Sequence, residues 1–146
     1  MATPGDSPGT FLREPTTLKS FLPGMKQRGR GSIITIASSA GRRADGRAPI
    51  PYGAAKAAIA LITQDVAAQA GPSGIRVNCI APETIMTERN RERIPPAQLA
   101  AMAGSHPLKR LGTPEDVASA AAFLASDSAT WITGVVLDVT GGAVMT

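Results

Sequence analysis

The 146-residue chain contains just one cysteine, one histidine, one tryptophan and one tyrosine. The lone cysteine, Cys79, excludes an intramolecular disulfide, and with a single histidine beside it leaves no Cys/His metal cluster. Its neighbours, "RVNCIAP", read as a buried strand, so Cys79 is expected to be a small core residue rather than a nucleophile. A chain without disulfides fits a reducing, cytoplasmic setting. Aromatics amount to 3% of residues, so a core must rest on Ala, Val, Ile and Leu. Long hydrophobic runs are missing as well. No stretch approaches the roughly 18 apolar residues of a membrane span, and "MATPGDSPGTF" at the start has no apolar signal region. A soluble cytoplasmic protein is the expectation.

Apolar residues make up 43% of the chain, enough for one domain with a real core. The net charge of +4 comes from 15 basic and 11 acidic residues, with arginines grouped in "KQRGRG", "GRRADGR" and "ERNRER". Such clusters bind nucleic acid when aromatics stand among them for base stacking. These have almost none nearby, and the third carries its own glutamates. They read as solvated loops, with no nucleic-acid partner.

Along the chain, the Pro, Gly, Ser and Asp-rich residues 1–9 are expected to form a disordered or loosely attached leader. Leu18, Phe21, Leu22 and Met25 then recur at helical spacing, with Thr16 or Thr17 as cap after Pro15 and with Gly29 and Gly31 as terminators. "SIITIA" is a β-branched run apolar on both faces, as in a parallel strand. An alanine-rich helix follows from about Pro51 to Ala70, stopped by "GPSG", and "IRVNCIA" is a second strand. Residues 82–111 are polar and read as irregular. Thr113, Pro114 and Asp116 announce another helix start, as N-cap, first helical residue and third residue after the cap. "GVVLDVT" is a third strand, closed by "GG". Strands alternating with helices indicate an α/β protein with a parallel sheet and right-handed crossovers. The helices flanking the first strand should share one sheet face, with the last helix on the other. No internal repeat is present.

Tyr52 and Lys56 are four residues apart, so on a helix they stack on one face. An ammonium beside a phenol eases loss of the phenol's proton, which fits a tyrosine for acid/base work at a carbonyl or alcohol oxygen. The same spacing is also that of an ordinary helix surface pair. Ser38 and Ser39 lie just past the carboxyl end of the first strand, where open α/β sheets place ligands.

The runs "GSIITIASSAG", "YGAAKAA", "GIRVNCIAP" and "RLGTPEDVASAAAFLASDSATWITGVVLDVTGG" closely resemble, in order and spacing, the short-chain dehydrogenase/reductase family. The resemblance covers about residues 10–146, as the C-terminal half of that family's domain. It implies a truncated Rossmann-like, doubly wound parallel sheet of about three strands with helices on both faces. It implies NAD(P)-dependent hydride transfer on a small carbonyl or alcohol substrate. By the same resemblance Ser39, thirteen residues before the tyrosine, orients the substrate oxygen. Tyr52 is the acid/base, and Lys56 activates it and holds the nicotinamide ribose. Pro82, Ile85 and Thr87 match positions that contact the cofactor. Glu83 departs from the pattern, standing where the family usually has glycine. His106, in the variable substrate region, reads as a loop residue, and Arg110 with Gly112–Asp116 as a structural helix start. No metal ligands are implied.

Two family features are missing from the sequence. The Thr-Gly-x-x-x-Gly-x-Gly loop, whose glycines admit the pyrophosphate to a helix N-terminus, has no counterpart. The asparagine expected in the helix before the serine strand is absent too, the first asparagine being Asn78. These gaps imply impaired cofactor binding and impaired catalysis by this chain alone. The alternatives are a non-catalytic, oligomerising remnant of the fold, or the truncated product of a longer gene. Without a neighbour beside "SIITIA", an open strand edge favours a homo-oligomer. The choice between NAD and NADP, and the substrate, are not encoded in any stretch present.

Overall fold

The computed structural model describes residues 13–145, with side chains from Leu18 onward. The expected leader at 1–9 and residues 10–12 lie outside the described residues. In chain order the elements are α1 (Arg13–Arg28), β1 (Gly31–Ile36), a single 3-10 turn (Ser39–Gly41), α2 (Ile50–Ala70) and β2 (Ile75–Pro82). Then come α3 (Glu88–Arg93), α4 (Pro96–Ser105), α5 (Pro114–Ala125) and β3 (Val136–Val139).

The three strands form one parallel sheet in the order β1-β2-β3. Gly31 to Ile36 pair in register with Ile75 to Ile80, and Cys79 to Pro82 with Val136 to Val139. Because strand side chains alternate, each pair of register neighbours shares a face. On one face, Ile75 and Val77 pack with Ala67 and Ala70 of α2, and Leu22, Met25, Ile33 and Val66 close the cluster. On the other, Leu124 of α5 is buried, and Ser32 and Arg76 both donate to its carbonyl, at 3.3 and 2.7 Å. Arg76 also reaches the Ser126 carbonyl at 3.1 Å, so a strand residue satisfies the orphan carbonyls at the end of α5. The helices therefore divide between the faces as the sequence predicts.

Small residues make the close approach of α2 to the sheet possible. Ala37, Cys79 and Ala81 are buried beneath Ile59 of α2, with Val136 beside them, and Cys79 is the core residue expected. Polar groups in this layer are paired: the Thr35 and Thr63 hydroxyls lie 2.7 Å apart. Asn78 donates from Nδ2 to the Ile132 carbonyl at 3.0 Å and accepts from the Val135 N–H at 3.2 Å, tying β2 to the entry of β3.

Three expectations are corrected. The backbone is already helical at Arg13, so neither Thr16 nor Thr17 caps α1. Pro15 sits in the first turn described, where a missing N–H costs no helical bond, and Pro23 is accommodated farther along. Residues 82–111 are not wholly irregular but hold α3 and α4. Thr87 caps α3 by accepting from the Asn90 N–H at 3.2 Å, and "PAQLAAMAGS" contains enough alanine and leucine to sustain α4. The third strand is also shorter than "GVVLDVT", spanning Val136–Val139.

Candidate active site

A cleft of about 500 Å³ opens at the carboxyl ends of the strands. Ser39 reaches it from the 3-10 turn after β1, Tyr52 and Lys56 from the first turns of α2, and Pro82, Glu83 and Ile85 from the chain leaving β2. Ile94, Gln98 and Met102 close the side formed by α3 and α4.

The serine turn begins with Ser38, whose side chain accepts from the Ala40 N–H at 3.3 Å. Two glycines then let it lie directly on α2. A Cβ on Gly41 would fall 2.6 Å from the Lys56 carbonyl carbon and the Ala57 nitrogen. A Cβ on Gly53 would fall 3.0 Å from the Ala40 carbonyl oxygen. The turn and the helix thus interlock at the residues that carry Ser39, Tyr52 and Lys56. Ser39 is 3% exposed, whereas Tyr52 remains 46% exposed, a buried positioning group beside an accessible phenol.

Lys56 is held from the opposite side by the sheet. Its Nζ donates to the Ile36 carbonyl, the last of β1, at 2.9 Å. The same ammonium lies 5.8 Å from the centre of the Tyr52 ring, within cation–π range. The pair is therefore not free on a helix surface. One member is anchored across the chain to the strand end, and the Tyr52 hydroxyl makes no hydrogen bond with the described residues.

Glu83 does not face the cleft as an isolated charge. Its side chain is 6% exposed, with Oε1 accepting from Arg47 at 3.3 Å and Oε2 in an ion pair with Arg43 at 3.6 Å. Arg47 also grips Asp45 in a bidentate pair at 3.1 and 3.3 Å, and holds that carboxyl below its ordinary range. The arginines of "GRRADGR" are thus bound locally and across to β2's exit. Arg42, from the same run, makes a bidentate pair with Asp138 of β3 at 3.0 and 3.2 Å.

Of the residues singled out in the sequence, Ser39, Tyr52, Lys56, Pro82 and Ile85 line the cleft together. Thr87 does not; its hydroxyl serves as the cap of α3. His106 is 3% exposed at the end of α4, with Nδ1 2.7 Å from the Met102 carbonyl, and lies outside this cleft. Arg110 and Asp116 are structural, as expected. Asp116 accepts from Arg110 at 2.6 and 2.8 Å and from the Thr113 N–H at 2.7 Å, completing a capping box. Asn90, Gln98 and Met102 were missed, because the helices that bring them to the cleft were not foreseen.

The donor set fits the nicotinamide-ribose end of a dinucleotide: an ammonium, a phenol and a buried serine line one cleft together with Pro82 and Ile85. The described residues contain no glycine-rich loop between a strand and a helix to meet a diphosphate.

Comparison with known proteins agrees with the geometry. A family model described as "Enoyl-(Acyl carrier protein) reductase" matches residues 15–144. The chain belongs to the short-chain dehydrogenase/reductase family. It is 43% identical over 127 residues to cyclohexanol dehydrogenase of Rhodococcus sp. (strain TK6), covering 86% of this chain and 47% of that protein. A 3-oxoacyl-[acyl-carrier protein] reductase from Brucella melitensis ATCC 23457 superimposes with a TM-score of 0.84 at 36% identity, over 89% of this chain and 48% of that one. A reductase of the same description from Brucella melitensis, solved with bound NAD, gives 0.80 at 37% identity, over 89% and 47%. The chain spans about half the length of the curated relatives it matches. Among the described residues no helix is long and apolar enough to cross a membrane.

Proposed function

We propose that this chain carries the proton-handling half of a NAD(P)-dependent carbonyl/alcohol oxidoreductase. The observation that carries the reading is the Lys56 ammonium, fixed to the end of β1 and set against the Tyr52 ring in the cleft that Ser39 lines. In the oxidising direction Tyr52 takes the proton of the substrate hydroxyl while the carbinol C–H bond breaks and the C=O bond forms. In the reducing direction it returns a proton to the carbonyl oxygen. Ser39 donates a hydrogen bond to that same oxygen and holds it beside the phenol. Lys56 sets its charge beside the phenol ring and has donors left for ribose hydroxyls. NAD or NADP would be held by Lys56 with Pro82 and Ile85 as further contacts, and when bound would accept or supply the hydride. Residues 10–146 act as the C-terminal half of such a domain, in a cytoplasmic setting.

Calorimetric titration of the chain with NADH and NADPH tests this. Binding on the order of micromolar, weakened about tenfold or more by Lys56→Ala through loss of a charged donor, is the expected result. A folded chain that binds neither nucleotide is no oxidoreductase by itself.

A second reading, an oligomerising module, is favoured by the apolar groups left outside. Trp131 is 99% exposed, and Phe123 and Val135 are exposed near it in sequence on α5 and before β3. β1 and β3 each have one unpaired edge within this sheet. A homo-oligomer is proposed on this basis, and a monodisperse monomer in sedimentation at micromolar concentration would remove it.

A further inference from the structure

Glu83 sits on the wall of the candidate active site, and its charge is matched in an unusual way. Four charged residues line the cleft: Asp45, Arg47, Lys56 and Glu83. They sum to zero. Arg47 binds Asp45 through Nε and one terminal nitrogen, and the same terminal nitrogen reaches Glu83. Arg43 adds its charge to Glu83 from behind. Lys56 is tethered to the Ile36 carbonyl and set against Tyr52. Both arginines beside the cleft therefore have carboxylate partners already, whereas Lys56, held by a carbonyl and a ring, has no carboxylate partner among the described residues. The remaining wall includes Ile36, Ala40, Ala48, Ile94 and Met102, side chains with nothing to give a charge.

We infer that Glu83 is a specificity determinant that favours neutral over anionic substrates in this cleft. This inference rests on the carbonyl/alcohol reading above. By holding Arg43 and sharing Arg47 with Asp45, the Glu83 carboxylate keeps both from a ligand. A substrate carboxylate entering the cleft loses its water and finds as counter-charge only Lys56, already committed to the Ile36 carbonyl and the Tyr52 ring. A neutral ketone or secondary alcohol meets no such penalty. Replacing Glu83 with a neutral isostere leaves Arg43 without this carboxylate and Arg47 with Asp45 alone, so the charge beside the cleft rises by one and an anion is better received. Replacing Arg47 leaves Asp45 and Glu83 facing it with Arg43 alone behind them, and repels an anion more strongly.

The test uses two ketones of equal size that differ in charge, 4-acetylbenzamide and 4-acetylbenzoate. Tyr52 is the chain's single tyrosine, so ring-labelled tyrosine gives one NMR signal inside the cleft as a reporter of binding. In the parent chain the amide is expected to bind about tenfold or more tighter than the benzoate. In Glu83→Gln the ratio should fall to near one or invert, and in the exposed-site variant Arg47→Met it should widen. Equal affinities in the parent chain, a preference for the benzoate, or a ratio unmoved in both variants would overturn the inference while leaving the carbonyl site standing. If neither ketone shifts the Tyr52 signal, the carbonyl reading itself fails and this inference falls with it.

Discussion

Helices α2 and α5 begin in opposite ways. The start of α5 is satisfied from within its own sequence: Thr113 accepts from the Asp116 N–H, Asp116 accepts from the Thr113 N–H, Pro114 stands in the first turn, and Arg110 braces the carboxylate. The start of α2 has Pro49 at the cap position with no side-chain cap, Ile50 at 87% exposure and Tyr52 half-exposed. Nothing local explains why Tyr52 and Lys56 should be steady. What holds them is distant in sequence: the serine turn pressed on α2 at Gly41 and Gly53, and the Ile36 carbonyl that receives Lys56. A helix start used for stability is locally complete. The start of α2 is left open and is placed by its neighbours, so that its donors stay available.

The sharpest way to break this contrast is Gly41→Ala. Its new methyl meets α2 backbone that has no flexible end to move aside. A loss of about 1–3 kcal/mol is expected from overpacking, measured by urea unfolding, together with displacement of the Tyr52 ring signal. An unchanged Tyr52 signal would mean that the serine turn does not place the helix. Thr113→Ala attacks the other helix start. It should cost about 1 kcal/mol, the usual worth of an N-cap hydroxyl, and leave the Tyr52 signal where it was. A shifted signal there would blur the distinction between the two starts.

The smallest effect is that of pH. Arg110 and the Thr113 N–H hold the Asp116 carboxyl well below its ordinary value of 3.8, and Arg47 lowers that of Asp45. Both folded values lie below the unfolded ones, so the stability they supply is complete above the ordinary carboxylate value and is lost as pH falls through the depressed folded values. Melting temperature should therefore show no pH dependence from these two groups between about pH 5 and 8, where their contribution is complete, and a small decline below about pH 4. Arg110→Met should flatten that decline. A decline of the same size in Arg110→Met would assign the acid sensitivity elsewhere.

Much of the frame could be read directly. "SIITIA" and "IRVNCIA" are strands because β-branched residues, apolar on both faces, suit a sheet covered on both sides. α5 was legible to the residue because its cap chemistry is contiguous. α3 and α4 were not, since "ERNRER" is polar all round and Pro95 and Pro96 read as breakers, although a proline at the first helical position is a start signal. The cap of α1 was misplaced because Pro15 was taken as a stop rather than as a first-turn residue. At the site, Ser39, Tyr52 and Lys56 could be named from spacing and resemblance, whereas the partners of Glu83 could not. Arg47 and Glu83 are 36 residues apart, and no local pattern announces a pair across that distance.

By itself, then, the sequence determined the strands, three of the helices (the first without its start), the buried character of Cys79 and the choice of the serine, tyrosine and lysine that line the cleft. Those properties depend on periodicity, propensity and short-range hydrogen bonds, which act between near neighbours in the chain. Only the tertiary structure decided that Lys56 is tied to a strand end, that Gly41 and Gly53 admit the serine turn to α2, and that the arginines beside the cleft are already matched by carboxylates. Each of these is an approach between segments brought together by the parallel crossover, and the strength of a close contact or an ion pair is set by distance in space rather than along the chain.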